Sequence, residues 1–71
     1  MKKLKLVLSK HAIEQARERG ISINEIEETI RCGAKSLQNN KIISVYKHVK
    51  VVFKKLNNEY FIITVMIKYK P

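Results

Sequence analysis

The sequence contains no aspartate, a single cysteine and no long apolar run. Because Cys32 has no second cysteine to pair with, an internal disulfide is excluded and we expect a reducing, cytoplasmic location. A membrane protein is not expected, since no apolar run approaches the roughly 20 residues that a membrane helix needs. Repeats, low-complexity segments and linkers are also missing, and the length of 71 residues predicts a single domain over residues 1–71.

Charged residues are unevenly distributed along the chain. Residues 1–10 carry four lysines, for a net charge of +4, and residues 29–71 carry nine basic residues against Glu59, for +8. Residues 11–28 carry five glutamates against two arginines, for −3. Such segregation is typical of a nucleic-acid binder. A lysine- and isoleucine-rich composition from an AT-rich or thermophilic genome would explain many lysines, but it explains their separation from the glutamates less well.

Two helices are predicted in the first half of the chain. The first covers residues 10–19 and ends at Gly20, since glycine readily takes the left-handed conformation that terminates helices. The second covers residues 23–32, because Ser22 and Glu25 have the spacing of a capping box. With so short a connection, the two helices should form a hairpin.

From residue 41 onward the hydrophobic period changes from about 3.6 residues to about 2, which predicts β-strands. The expected segments are a first strand at 5–8, a loop at 34–40, and strands at 41–47, 49–56 and 60–69, with a turn at Asn57–Asn58. The predicted fold class is therefore α+β, in the order β-α-α-β-β-β. The helical hairpin packs on one face of a small antiparallel sheet in which the last strand is central.

Alternation in the last strand assigns its side chains to two faces. One set is predicted to pack against the helices: Phe61, Ile63, Val65, Ile67 and Tyr69. The other set is amphipathic, as expected for a sheet face that carries a site: Tyr60, Ile62, Thr64, Met66 and Lys68.

Several short motifs resemble a known family. They are Lys10-His11-Ala12, Arg19-Gly20-Ile21-Ser22, Glu25-Ile26 and Ile62-Ile63-Thr64-Val65. The pattern resembles the small domains named domain of unknown function 4258, a family placed in the RelE/ParE-like toxin superfamily and the wider barnase–colicin–RelE group of ribonuclease folds. This resemblance covers nearly the whole chain and implies a RelE-like fold. The partners to expect are then RNA, on or off the ribosome, and an acidic antitoxin protein.

The resemblance also implies three catalytic positions, His11, Arg19 and Thr64. In metal-free RNA cleavage His11 would transfer protons, Arg19 would hold phosphate oxygens, and Thr64 would donate a hydrogen bond to a non-bridging oxygen. Gln15 lies at the position where the family often has a second arginine, which predicts weaker phosphate binding. Each residue also has an ordinary structural explanation. His11 can assist capping, Arg19 can pair with a glutamate of the second helix, and Thr64 can be a plain strand residue.

Five further residues are predicted to contact nucleic acid: Lys54, Lys55, Lys68, Tyr46 and His48. The lysines would supply charge, Tyr46 stacking and His48 proton transfer, although sheet tyrosines are more often half-buried than stacked on bases. No metal and no cofactor is expected, because the histidines and the cysteine lack metal-ligand spacing.

Three function classes remain open. The first is a toxin-type ribonuclease that cleaves RNA without a metal. The second is a non-catalytic nucleic-acid- or partner-binding module on the same fold. Within it, a helix-turn-helix DNA reader is disfavoured because phosphates repel the glutamates of the second helix. The third is a toxin-like fold that inhibits a protein such as gyrase. Since a chain of this size buries only a modest core, a partner protein or a homodimer would add stability.

Overall fold

The computed structural model of the protein describes residues 4–68, which form two helices and a five-stranded sheet. The elements in chain order are β1 (Lys5–Leu8), α1 (Lys10–Arg19), α2 (Ile23–Cys32), β2 (Ala34–Gln38), β3 (Lys41–Tyr46), β4 (Val49–Leu56) and β5 (Glu59–Ile67). An α+β protein with two helices at the predicted positions is therefore confirmed. Tyr69, predicted as the last residue of the final strand, lies outside the described residues.

Local hydrogen bonds fix both ends of α1. The Ser9 hydroxyl accepts the N–H of Ala12 at 3.0 Å and so satisfies a donor of the first turn. At the other end, Gly20 takes the left-handed conformation with a φ of 66°, and its N–H donates to the carbonyls of Ala16 and Arg17. The helix therefore ends where the sequence predicts.

The predicted capping box forms at the start of α2. The Glu25 N–H donates to the Ser22 hydroxyl at 3.1 Å, and the Ser22 N–H donates to the Glu25 carboxylate at 2.8 Å. Both helices have ten residues. Within residues 4–68, neither is long and apolar enough to span a membrane.

The sheet is mixed, with the strand order β1-β5-β4-β3-β2. After α2 the chain enters the sheet at the far edge as β2 and returns strand by strand to β5, which lies beside β1. The pair of β1 and β5 is parallel, whereas the other three pairs are antiparallel. Both helices cover the same face, because α1 packs on β5 and β1 while α2 packs on β3 and β4.

Three features of the predicted sheet are wrong. It is not purely antiparallel, because the connection from β1 crosses through the helices and crossovers produce parallel pairs. Residues 34–40, predicted as a loop, contain β2 and a two-residue turn at Asn39 and Asn40, whose φ values are 51° and 64°. Asparagine tolerates this conformation, so the segment folds back as a hairpin with β3. The middle strand is β4, and the predicted central strand is its neighbour β5.

The core lies between the helices and the covered face of the sheet. Ten buried residues form one cluster: Ala12, Ala16, Ile21, Ile26, Ile30, Val49, Val51, Phe53, Ile62 and Val65. Burying a side chain of this kind contributes about 1.5–3 kcal/mol, so this single cluster fixes the helices on the sheet.

A bulge in β5 decides which of its residues reach the core. The register between β4 and β5 shifts between Val52 and Phe53, which leaves Ile63 as an extra residue on β5. Alternation restarts there, so Ile62 before the bulge and Val65 after it are both fully buried. The predicted assignment of faces is confirmed for Val65 and wrong for Ile62, which belongs to the core.

Candidate nucleic-acid interface

Because both helices pack on one side, the opposite face of the sheet is left uncovered in the described part of the chain. Directly paired residues on neighbouring strands share a face, and the register therefore identifies rows of side chains there. We call three of these rows the open face: Val7–Phe61–Lys54, Thr64–Val52–Ile43–Ser36 and Met66–Lys50–Val45–Ala34. A further row on the same side, Lys5–Glu59–Leu56, borders them.

The open face combines apolar side chains with lysines. Phe61 lies between Val7 and Lys54 in the first row, and Lys50 lies between two apolar neighbours in the third. Phe61 is half-buried and Val7 is 37% exposed, although no second layer of residues 4–68 covers them. Phe61 was predicted to face the helices, and the bulge places it on the other side. An aromatic, apolar platform flanked by cations suits the flat bases and charged phosphates of a nucleic acid.

The acidic residues lie mainly in the other layer. The two helices carry five glutamates against four basic residues, for a net charge of −1, whereas the described strands carry six lysines against Glu59, for +5. The Glu59 carboxylate lies 3.1 Å from the Lys5 ammonium. Such an exposed pair adds little stability, but it neutralises this carboxylate. Lys50 and Lys54 therefore leave the open face with a net positive charge, whereas the helices are net negative.

The three predicted catalytic residues do not share one site. His11 and Arg19 are exposed on α1, in the helix layer, whereas Thr64 lies in the open face on the other side of the sheet. Arg19 donates a hydrogen bond to the Gln15 side chain and lies 3.8 Å from the Glu18 carboxylate. In the described residues, the partners of Arg19 are thus on α1 itself, rather than the predicted glutamates of α2.

Tyr46 and His48, predicted to contact nucleic acid, lie beside α2 instead of on the open face. They line a cleft of about 130 Å³ together with Lys47, Val49, Glu25, Glu28 and Thr29. The pKa of Glu25 is lowered, chiefly because its carboxylate accepts the backbone N–H of Ser22, and His48 adds to this effect. The glutamates make the cleft unfavourable for phosphates. Neither here nor elsewhere in residues 4–68 do three potential metal ligands come together.

The three lysines predicted to contact nucleic acid lie in different places. Lys54 belongs to the open face. Lys55 pairs with Tyr60 on the helix side of the sheet, where its ammonium lies 5.6 Å from the centre of the Tyr60 ring. Lys68 is exposed after the end of β5, and its N–H donates to the carbonyl of His48 at 2.7 Å.

Lys50 and Phe61 are residues of the open face that the sequence interpretation missed. Lys50 alternates with the buried residues Val49 and Val51, and this alternation is a signal that the sequence contains. Phe61 lies on the open face only because of the bulge at Ile63. No local pattern in the sequence predicts that bulge.

Comparison with known proteins identifies a family. The family model described as "Domain of unknown function (DUF4258)" matches residues 8–67. No curated protein and no solved structure matches the chain. The wider relationship to RelE/ParE-like toxins therefore stays a prediction. Since the family model matches residues 8–67 of the 71, the chain belongs to the DUF4258 family of domains of unknown function.

Proposed function

We propose that the protein binds single-stranded RNA on its open face and does not cleave it. The observation that carries this proposal is the separation of charge between the two layers. Five of the six acidic residues are on the helices. Lys50 and Lys54 flank apolar residues on the uncovered face.

The spacing within β4 fits a ligand that alternates charge with flat apolar groups. Lys50 and Lys54 share a face and are four residues apart, which corresponds to about 13 Å along a strand. Val52 lies between them, and Phe61 lies beside Lys54 on the next strand. Phosphates would bind the two ammonium groups, and a base would stack on the Phe61 ring. The Thr64 hydroxyl, in the adjacent row, would donate or accept a hydrogen bond at a base edge or a 2′-hydroxyl.

A single strand fits this surface better than a duplex. Bases of a single strand expose their flat faces and can stack on aromatic and apolar side chains, whereas a duplex buries those faces between neighbouring base pairs. Sheet-borne aromatic residues that stack on bases are a common arrangement in RNA-binding domains. The aromatic and apolar side chains of the open face therefore favour unpaired RNA.

The positions of the predicted catalytic residues support binding rather than cleavage. A ribonuclease needs an acid or base and a phosphate-holding cation around one reacting phosphate. His11 and Arg19 lie on the helix side, and Thr64 lies across the sheet from them. The toxin-type ribonuclease stays the competing hypothesis, and the assay below separates the two.

The proposal is tested by fluorescence anisotropy with a labelled single-stranded RNA at several salt concentrations. The Lys50→Ala/Lys54→Ala variant removes two cations from the open face. The control Lys10→Ala/Arg17→Ala removes two exposed cations from α1. Since each phosphate contact contributes about 0.7 to the salt slope of single strands, losing two should reduce the slope by about 1.4 and weaken binding about 25-fold at roughly 0.1 M salt. Equal losses in both variants would reject the open face as the binding surface.

The contribution of the aromatic ring is tested separately. Phe61→Leu keeps an apolar side chain but removes the ring, and stacking on one base contributes about 1–3 kcal/mol, so affinity should fall at least about fivefold. Tyr60→Leu is the matched control, because Tyr60 is a half-buried aromatic of the same strand on the helix side. It should leave affinity unchanged, and thermal melts check that both variants fold.

Cleavage is checked on the same RNA by denaturing gel electrophoresis after long incubation. The proposal predicts intact RNA. Cleavage that is lost in both His11→Ala and Arg19→Ala, while RNA affinity is retained, would establish the ribonuclease instead.

A further inference from the structure

The edge strand β2 carries the most exposed surface of any strand. All five of its residues are exposed, and the Leu37 side chain is 76% exposed. It ends the sheet on the side away from β1. Since α2 packs on β3 and β4, the apolar side chain of Leu37 extends beyond the covered part of the sheet.

The hairpin geometry directs backbone groups of β2 outward. In a hairpin closed by a two-residue turn, the flanking pair Gln38–Lys41 exchanges hydrogen bonds, and the pattern then alternates along the strand. Lys35 and Leu37 therefore occupy positions whose N–H and C=O groups point away from β3. Two donors and two acceptors at this edge are available to an added strand.

This edge has few of the features that prevent strand addition. Natural edge strands are protected by proline, bulges or outward lysines. Here the register with β3 is continuous over all five pairs, and the strand has no proline. Its one charge, on Lys35, is directed to the end of α2, where the ammonium donates to the carbonyls of Gly33 at 3.2 Å and Arg31 at 3.5 Å. The strand is short, but its outer edge is flat and regular.

The charge around β2 indicates what kind of partner it fits. β2 and its neighbour β3 carry two lysines, Lys35 and Lys41, and no carboxylate. A second copy of this chain would bring a net charge of +9 to the same edge, which opposes self-pairing. An acidic segment would instead be attracted to it.

We propose that β2 binds an extended, acidic segment of another protein as a sixth strand of the sheet. Main-chain hydrogen bonds to Lys35 and Leu37 would set the register of the added strand relative to β2. An apolar side chain of the partner would pack on Leu37, beside Ile42 in the paired row. Acidic residues elsewhere in the segment would face the surrounding lysines. β2 contributes Ala34 and Ser36 to the border of the open face. The added strand would bind the outer backbone groups of Lys35 and Leu37, whereas the RNA proposal rests on Lys50, Lys54 and Phe61, so the two proposals can fail independently.

The test uses a synthetic peptide of about seven residues that alternates glutamate and valine, a length typical of one strand. Binding to the nitrogen-15-labelled protein is followed through amide chemical shifts. Leu37→Pro removes an outward N–H without removing a bond to β3, and it should weaken binding by roughly tenfold. Leu37→Thr keeps the backbone donor and should weaken binding less. A peptide that alternates lysine and valine should not bind.

Shifts on β2 and β3 that saturate with the acidic peptide, and that shrink in Leu37→Pro, are the expected result. If Leu37→Pro fails to fold, two results test the proposal instead: weaker peptide binding by Leu37→Thr, and the location of the shifted amides on β2 and β3. The proposal is overturned if the acidic peptide does not bind, or if it binds away from β2. It is also overturned if sedimentation shows a dimer that Leu37→Pro converts to a monomer, because β2 then pairs with a second copy of the chain.

Discussion

Gly33 allows α2 and β3 to approach more closely than any other residue type would permit. A Cβ atom added at this position would lie less than 3.0 Å from the Ser44 hydroxyl oxygen, the Thr29 carbonyl oxygen and the Val45 carbonyl oxygen. Two of these atoms are backbone and cannot rotate away. Gly33→Ala should therefore force the end of α2 away from β3.

The expected loss of stability follows from two contributions. Overpacking of this kind costs about 1–3 kcal/mol. The shift would also break the hydrogen bond that Ser44 donates to the Thr29 carbonyl at 2.5 Å, which contributes about 1 kcal/mol. The sum is about 2–4 kcal/mol, against roughly 4–10 kcal/mol for the whole chain. For a protein of this size, the melting temperature should fall by roughly 10–30 °C.

Urea unfolding and thermal melts measure the effect, with Gly20→Ala as the control. Gly20 has a φ of 66°, but an added Cβ there meets nothing within 4 Å, so the substitution should cost only the left-handed strain of about 1–2 kcal/mol. If Gly33→Ala proves no more destabilising than Gly20→Ala, the close contact between α2 and β3 is not real.

Two further predictions concern the helix N-termini, and urea unfolding checks both. Ser9→Ala removes a hydroxyl that accepts the N–H of Ala12 and donates to the carbonyl of Ile63 in the bulge, so it should cost about 1–2 kcal/mol. Ser9→Thr should recover most of this loss, and a neutral Ser9→Ala result would show that the cap contributes nothing. Because the Ser22 N–H lowers the pKa of Glu25 in the folded state, its ionised form stabilises the fold above the unfolded-state pKa of about 4.5. That contribution is lost as the pH falls through the folded-state pKa, so the advantage of wild type over Glu25→Gln should shrink as the pH is lowered from neutral to below 4.5. A difference that is independent of pH would contradict this.

Local signals predicted the helices well, because their ends are determined within a few residues. The capping box of Ser22 and Glu25 and the left-handed Gly20 are examples. The Asn39–Asn40 turn uses the same chemistry as the predicted turn at Asn57–Asn58. It was missed because Ala34–Gln38 is exposed on both sides and has no apolar alternation to identify it as a strand.

The open face was harder to predict because the bulge depends on contacts between distant segments. The Ser9 N–H and hydroxyl donate to the carbonyls of Ile62 and Ile63, so residues from the start of the chain contact the bulge in the last strand. The bulge at this contact reverses the faces of Ile62 and Phe61 relative to simple alternation. The position of Lys50 on the open face can be predicted without the bulge, because its alternation with Val49 and Val51 is visible in the sequence.

The most direct test of RNA binding on the open face is amide chemical-shift mapping of the nitrogen-15-labelled protein with a single-stranded RNA of about eight nucleotides, within the range that single-strand binders cover. We predict saturable shifts at Lys50, Val52, Lys54, Phe61 and Thr64, with little change on α1 and α2. Shifts concentrated around His11 and Arg19, or no shifts at low salt, would contradict the proposal.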